Sequence, residues 1–371
     1  MTFSRAMSAL FRQVDASVAS FAVHAVTAAP MHTPDYLRVF LDSMQPGSLR
    51  ARGVPERSAR SLAQAIAADA PHILLDGLWR KECTPLSDDV DNDRGDRERG
   101  GTTRSGVGGR HLACALLHAP APIAFSVLAA PITSGGAHVH YTLGDPVCLP
   151  PRLAVSFTER FVLLPAGAYP FDHAHWGPRA YDRAAASSAS SVASSSASSI
   201  ITRESEGLRA SAIVLASFVQ RWKVNPIAWA PWTNILRRGY PRTVLWLLQH
   251  PLDGPRRRLS SMLASELDGL DMRRMRVIAR RPLVDHMRRV ALADLTLDTH
   301  PYTAHTTAAD ALWADGGGGA PWLSLSASDD RMDSLLSAAV LSTAGALPLL
   351  TRTLRGYEDT AVGLVRSSRH K

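Results

Sequence analysis

The chain has 371 residues, 46% of them hydrophobic, three cysteines and a formal net charge of +8. That length accommodates two domains of ordinary size with a large core, which excludes a disordered or fibrous chain. Cys83, Cys114 and Cys148 are too widely spaced for a disulfide framework or a zinc site, and no apolar run reaches the roughly 18 to 20 residues of a membrane span.

The first twenty residues, "MTFSRAMSALFRQVDASVAS", are amphipathic but lack the apolar core and cleavage site of a secretory signal. A reducing compartment, cytoplasmic or nuclear, is the expected setting. The basic charge is scattered, as in "RRGYPR" and "DGPRRRL", with no basic face interleaved with aromatics. Neither nucleic acid nor a membrane is therefore an expected partner.

In chain order, "SARSLAQAIAADA" has helical spacing and "HILLDGLW" after it reads as a strand ending at Asp76. Residues 85–110 are charged, Gly-rich and almost without large apolar side chains, and predict a disordered insertion. "IAFSVLAAP" and "RFVLLPA" are short apolar runs that end in Pro or Ala and read as strands. Residues 184–199, "AAASSASSVASSSASS", are low-complexity and predict a flexible linker, extending to about residue 208.

Beyond the linker the alternation resumes. "ASAIVLASF", "TVLWLL", "RVIAR" and "DLTLDT" read as strands, and "NPIAWAPWTNILRRGYP", "VDHMRRVALA" and a segment from about Thr307 as helices. Pro231 falls inside the first of these helices and predicts a kink. Alternating strands and helices predict an α/β fold: two Rossmann-like lobes facing a cleft, one over 1–183 and one over 209–371. Ligands of such folds bind at the carboxyl ends of the strands.

Three places at those ends carry chemistry. In "LDTHPYTAHTTAADALWADGGGG" a strand ends near Asp298, a polar loop follows, and His305, Thr306 and Thr307 fall at a helix start. Unpaired amides and the positive dipole end suit a diphosphate there. Asp310, one turn beyond Thr307, suits sugar hydroxyls. A simple cap at Thr306, with Asp310 complementing the dipole, explains the same pattern. In "ASFVQRWKVNP", Gln220 and Lys223 lie between a strand and a helix; the lysine suits a leaving diphosphate, or is a solvated loop residue. In "RRPLVDHMRRVALAD", His286 sits near a helix start and suits stacking on a base, or is a surface histidine.

Taken together, these segments resemble the catalytic region of the O-linked N-acetylglucosamine transferase family, including its SPINDLY-like branch. "HILLDG", "APAPIAFSVLAAPITSGG" and "FVLLPAGAYPFDH" are similar to segments of the family's first lobe. "FVQRWKVNPIAWAPWTNILRRGYPRTVLWLLQHP" and "DHMRRVALADLTLDTHPYTAHTTAADALWA" resemble two blocks of its second lobe, and "AGALPLLTRTLRGYEDTAVGL" fits the helices that follow. The similarity runs from about Met31 to Val365, outside the insertions.

The resemblance implies the GT-B fold and an inverting, metal-independent transfer from UDP-N-acetylglucosamine to Ser or Thr of proteins. It places Gln220 and Lys223 on the nucleotide, the lysine on the diphosphate, and His286 beside the uracil. It gives His305, Thr306 and Thr307 to the diphosphate loop, Asp310 to the ribose, and Leu128 and Ala129 to the sugar pocket. Asp76 is then the candidate for the acceptor proton. No cofactor or metal is implied; the partners are a nucleotide-sugar donor and protein or peptide acceptors.

There are departures. The family's Asp-Phe-Gly-x-His-Pro segment is absent where "VDASVASFAVHAV" stands, with His24 nearby; the lysine before the uracil-side histidine is Leu283; the pocket glycine is Ala129; and "GLWRKE" follows Asp76. Slow transfer is expected. The alternatives are O-fucosyl transfer from GDP-fucose, and a non-catalytic nucleotide-sugar-binding relative or fragment of a larger repeat-containing transferase.

Overall fold

The computed structural model describes residues 21–27, 49–55, 63–64, 67–68, 73–76, 117–127, 131–165, 167, 173, 201–239, 241–249, 271–314 and 318–367. The backbone alone is described for 21–27, 49–55, 73–76, 221 and 272. The expected insertion at 85–110, the Ser-rich stretch at 184–199, and Leu128 and Ala129 lie outside these residues.

The chain divides into two compact units, Met1–Phe171 and Asp172–Lys371. In the first, strands β1 (Phe21–Thr27) and β2 (Leu49–Pro55) form a parallel pair. A second parallel sheet runs β3 (Ile73–Asp76), β4 (Ile123–Ser126), β5 (Tyr141–Gly144) and β6 (Arg160–Leu163), in that order. The register sets Asp76 opposite Ser126. At the start of β6, buried Glu159 accepts from the Thr133 hydroxyl at 2.7 Å and the Ser134 amide, fixing the loop before β5.

The second unit is a six-stranded parallel sheet. Its strands are β7 (Ile213–Ser217), β8 (Thr243–Leu248), β9 (Met275–Ile278), β10 (Leu295–Leu297), β11 (Trp322–Leu325) and β12 (Leu350–Thr351). The order across the sheet is β12-β11-β10-β7-β8-β9. The first three strands proceed one way and the last three the other, so the order reverses between β7 and β10. That reversal is the topological switch point of a doubly wound sheet, where the loops leaving two neighbouring strands separate and leave a crevice.

Burial explains the sequence signature. Every residue of β7, β10 and β11 is buried, so these strands are mostly apolar and show no alternation of buried and exposed positions. Helix α1 (Pro226–Arg238) begins at Asn225, whose side-chain oxygen accepts from the Ala228 amide at 3.0 Å, with Pro226 at the first helical position. Pro231 lies inside α1, and the helix continues through it to Arg238. Trp229, Trp232, Ile235 and Leu236 carry its buried face into the core. That core also takes Tyr357, Ala361, Val362 and Val365 from the C-terminal helix α5 (Leu354–Ser367).

Among the described residues the unit also holds α2 (Leu283–Val290), α3 (Thr306–Trp313) and α4 (Met332–Thr343). Before β11, Gly319 lies so close to the Ala311 carbonyl that an added Cβ would collide with backbone. Residues 201–208, which the composition groups with the flexible linker, are anchored. Arg203 pairs with Asp294 at 2.9 Å and donates to the Leu292 carbonyl, Glu206 pairs with Arg281 and Arg289, and Leu208 is buried in the core. Among the described residues no helix is long and apolar enough to cross a membrane.

Candidate functional site

The two central loops leave the sheet on either side of the switch point. From β7 the chain passes Phe218, Val219 and Gln220, makes a short 3-10 turn over Arg221–Lys223, and enters α1. From β10 it passes Asp298, Thr299 and the segment His300 to Ala304, then enters α3 with His305 at the cap position. Side chains of both loops interlock. The Lys223 Nζ donates to the Thr303 carbonyl at 2.8 Å and lies 3.8 Å from the centre of the Tyr302 ring. Asn225 Nδ2 donates to the His300 carbonyl at 2.9 Å. Trp222 and Tyr302 rings meet at 5.0 Å, so the ammonium sits in an aromatic recess.

Burial lowers the Lys223 pKa to about 8, against the negative charges of Asp298 and Asp333. The group is still mainly cationic at neutral pH, and its poor solvation raises the value of an anionic ligand. The His305 ring, at the start of α3, is pushed down to about 3 by burial and then by the Lys223 charge, so it is a neutral imidazole. Burial, followed by the charge of Asp333, pushes the Tyr302 phenol up. The loop around them is fixed from behind. The Thr303 amide and hydroxyl both donate to the Asp333 carbonyl at 3.0 Å, and the Ser337 amide donates to the Thr303 hydroxyl at 3.2 Å.

The structure therefore brings Lys223, His305, Thr306 and Thr307 to one edge of one sheet. Thr306 and Thr307 open α3, with side chains half-buried. Asp310 lies one turn further along and its Oδ1 is 2.8 Å from the His173 Nε2. His173 is 5% exposed and Asp310 15%, and the His173 ring lies 5.9 Å from that of Trp313. Gln220 is exposed, and its Oε1 accepts from Arg280 at 3.4 Å. His286 lies in α2 with its ring 5.3 Å from that of Phe218, beside the β7 end of the crevice. Asp76 ends β3 in the other unit, with only its backbone described; Leu128 and Ala129 lie outside the described residues.

Sequence reasoning missed three contributors. Asp298 reads as a strand end, yet it is the buried hub of the β10 loop. Tyr302 reads as loop filling, yet it forms the floor under Lys223. His173 lies 137 positions from Asp310, and no local pattern signals their pairing. The one available signal was Asp298 itself, a charged residue directly after the strand Leu295–Leu297.

The fold agrees with comparisons to known proteins. The family model for glycosyl transferase family 41 matches residues 179–370. A probable UDP-N-acetylglucosamine–peptide N-acetylglucosaminyltransferase SEC of Arabidopsis thaliana is 29% identical over 246 residues, covering 66% of this chain and 23% of that protein. The UDP-N-acetylglucosamine–peptide N-acetylglucosaminyltransferase of Caenorhabditis elegans is 29% identical over 171 residues, 46% of this chain and 14% of that protein. The chain thus spans less than a quarter of the length of either relative. Among solved structures, a mutant O-GlcNAc transferase of Thermobaculum terrenum superposes with a TM-score of 0.71 at 23% identity, over 99% of this chain and 57% of that one. This likeness shows the fold: α/β, with two Rossmann-like lobes of the GT-B type. The family match covers more than half of the chain, and the chain belongs to glycosyl transferase family 41.

Proposed function

We propose that the chain is the catalytic region of a protein O-glycosyltransferase, moving N-acetylglucosamine from UDP-N-acetylglucosamine to Ser or Thr with inversion and without a metal. The observation that carries this reading is the half-buried Lys223 ammonium beside the α3 N-terminus at the switch point. Such a transfer needs stabilisation of charge on the departing UDP more than covalent help. The acceptor hydroxyl attacks the anomeric carbon as the bond to the diphosphate oxygen breaks, and the electron pair leaves with UDP. Lys223, Thr306, Thr307 and the first amides of α3 meet that charge. Asp310 holds the ribose, Gln220 and His286 the nucleotide, and Leu128 and Ala129 line the sugar pocket. The relatives' names support the donor and the peptide acceptor for this reading.

Asp76, ending β3, is the residue proposed to take the acceptor proton. A carboxylate is a weak base at neutral pH, and the family's His-containing segment is absent from the sequence, so slow transfer is expected. Incubation of the full chain with UDP-N-acetylglucosamine, a Ser-rich peptide and a chelator tests this. The expected result is slow gain of one N-acetylhexosamine per peptide, slower still in Asp76→Asn. Transfer from GDP-fucose in its place, or UDP binding with no transfer at all, contradicts it.

A further inference from the structure

Asp298 follows the last residue of β10 and is 3% exposed. Its Oδ1 accepts from the amides of Thr299 at 2.8 Å and Ala304 at 2.9 Å, the two ends of the loop that leads into α3. Its Oδ2 lies 2.6 Å from the hydroxyl oxygens of Ser324, on β11, and of Ser337, on α4. Its own carbonyl accepts from the Tyr357 hydroxyl at 3.0 Å, which in turn accepts from the Trp232 indole at 3.3 Å. One side chain thus clamps both ends of the loop that carries Tyr302 and Thr303, and it anchors that loop to two neighbouring elements.

The proton count around it is informative. Ser337 has one hydroxyl proton, yet its oxygen is 2.6 Å from the Asp298 Oδ2 and 2.7 Å from the Ala304 carbonyl. With Asp298 ionised, both neighbours are acceptors and that proton satisfies only one. With a proton on the Asp298 Oδ2, donated to the Ser337 oxygen, Ser337 donates to the Ala304 carbonyl and Ser324 donates to Oδ2. The side-chain donors and acceptors of Asp298, Ser324 and Ser337 and the Ala304 carbonyl are then all matched. An uncharged acid also avoids the large cost of a buried carboxylate. Burial favours this neutral form, against the hydrogen bonds of Ser324 and Ser337 and the charge of Lys223.

We propose that Asp298 is a positioning residue, held as an uncharged acid, that fixes the Thr299–His305 loop in the shape on which the donor diphosphate binds. The proposal rests on the nucleotide-sugar reading given above. An uncharged Asp298 also does not neutralise the Lys223 ammonium, which leaves more of the lysine's charge to the ligand.

The test uses the full chain, with UDP and uridine titrated by calorimetry into wild type, Asp298→Ala and Asp298→Asn, and with melting curves to show that each is folded. Asp298→Ala is expected to weaken UDP by at least about tenfold, the scale seen for groups that orient binding residues, while uridine changes by less than about twofold. Asp298→Asn, which keeps one acceptor oxygen and a donor in place of the acid proton, is expected to stay near wild type. Should Asp298→Ala fail to fold, Ser337→Ala is the substitute and is expected to weaken UDP selectively. Equal losses in the Asn and Ala variants, or equal losses of UDP and uridine, overturn the proposal. Infrared difference spectra of wild type against Asp298→Asn are expected to show the carbonyl stretch of a protonated acid. Its absence overturns the proposal whether or not UDP binds, whereas a wild type that binds no UDP but shows the band refutes the functional reading instead.

Discussion

The Lys223 side chain donates to the Thr303 carbonyl at 2.8 Å, and this bond ties the loop after β7 to the loop after β10 across the point where the strand order reverses. A cation fixed in that crevice by a backbone oxygen is placed for an anion. It has given up much of its water, so little further desolvation opposes binding. Replacing Lys223 by Ala is expected to cost about 1.5 to 3 kcal/mol in UDP affinity, the range for a hydrogen bond to a charged group, and to leave uridine nearly unchanged. Paired calorimetric titrations measure the difference; equal losses for both ligands give the lysine a purely structural role.

The same residue sets a pH dependence. Its folded pKa is lowered from 10.5 to about 8 by burial, and a neutral Asp298 removes one of the charges that hold it up, so the proposed ligand-binding cation is lost by the time pH has risen through 8. Between pH 7 and 9 UDP affinity is expected to fall by up to about tenfold, following the protonated fraction. The stability of the unliganded chain moves the other way. Below pH 8 both states bind the proton and folding carries the full cost of burying it; between 8 and 10.5 the unfolded state binds more protons, so this group's contribution to stability rises with pH. UDP titrations across that window, and in Lys223→Met where the slope is expected to vanish, check the assignment.

Asp310 and Lys223 separate by ligand. If Asp310 accepts ribose hydroxyls, Asp310→Asn weakens uridine and UDP by the same factor, on the order of tenfold, because both carry the sugar. His173, 2.8 Å away, orients the carboxylate, and His173→Ala is expected to weaken both ligands less than Asp310→Asn does. A loss confined to UDP would move Asp310 from the ribose to the phosphates.

Asn225 tests the scaffold without touching the ligand. Its side chain caps α1 at Ala228 and donates to the His300 carbonyl. Asn225→Ala removes both and is expected to lower folding stability by about 1 to 2 kcal/mol, measured by urea unfolding. An unchanged midpoint would show that solvent replaces the cap.

Much of this was legible from the chain. Strands β3, β4 and β6 through β10 read as short apolar runs because central parallel strands are buried on both faces and need no alternation. Helix α1 announces itself through the Asn225–Pro226 pair, and the site edge through the imidazole and hydroxyls of His305, Thr306 and Thr307 at the start of α3. Strand β5, "YTLG", escaped because four residues, one Thr and one Gly, carry too little pattern. The Asp298 hub escaped because its partners, Ser324 and Ser337, come from elements 26 and 39 positions away. The His173–Asp310 pair escaped for the same reason. Pro231, which predicts a kink by its missing amide, lies within α1, and Trp229, Trp232 and Ile235 on both sides of it pack the helix into the core.

The central claim is a metal-independent uridine diphosphate site at the β7–β10 switch point. Calorimetric titration of the full chain with UDP and with GDP, each in the presence of a chelator, tests it most directly. The account predicts saturable UDP binding that the chelator leaves unchanged, and GDP binding weaker by at least about tenfold, the discrimination of one or more lost base contacts. GDP binding as tight as UDP, or UDP binding that disappears with the chelator, would contradict it.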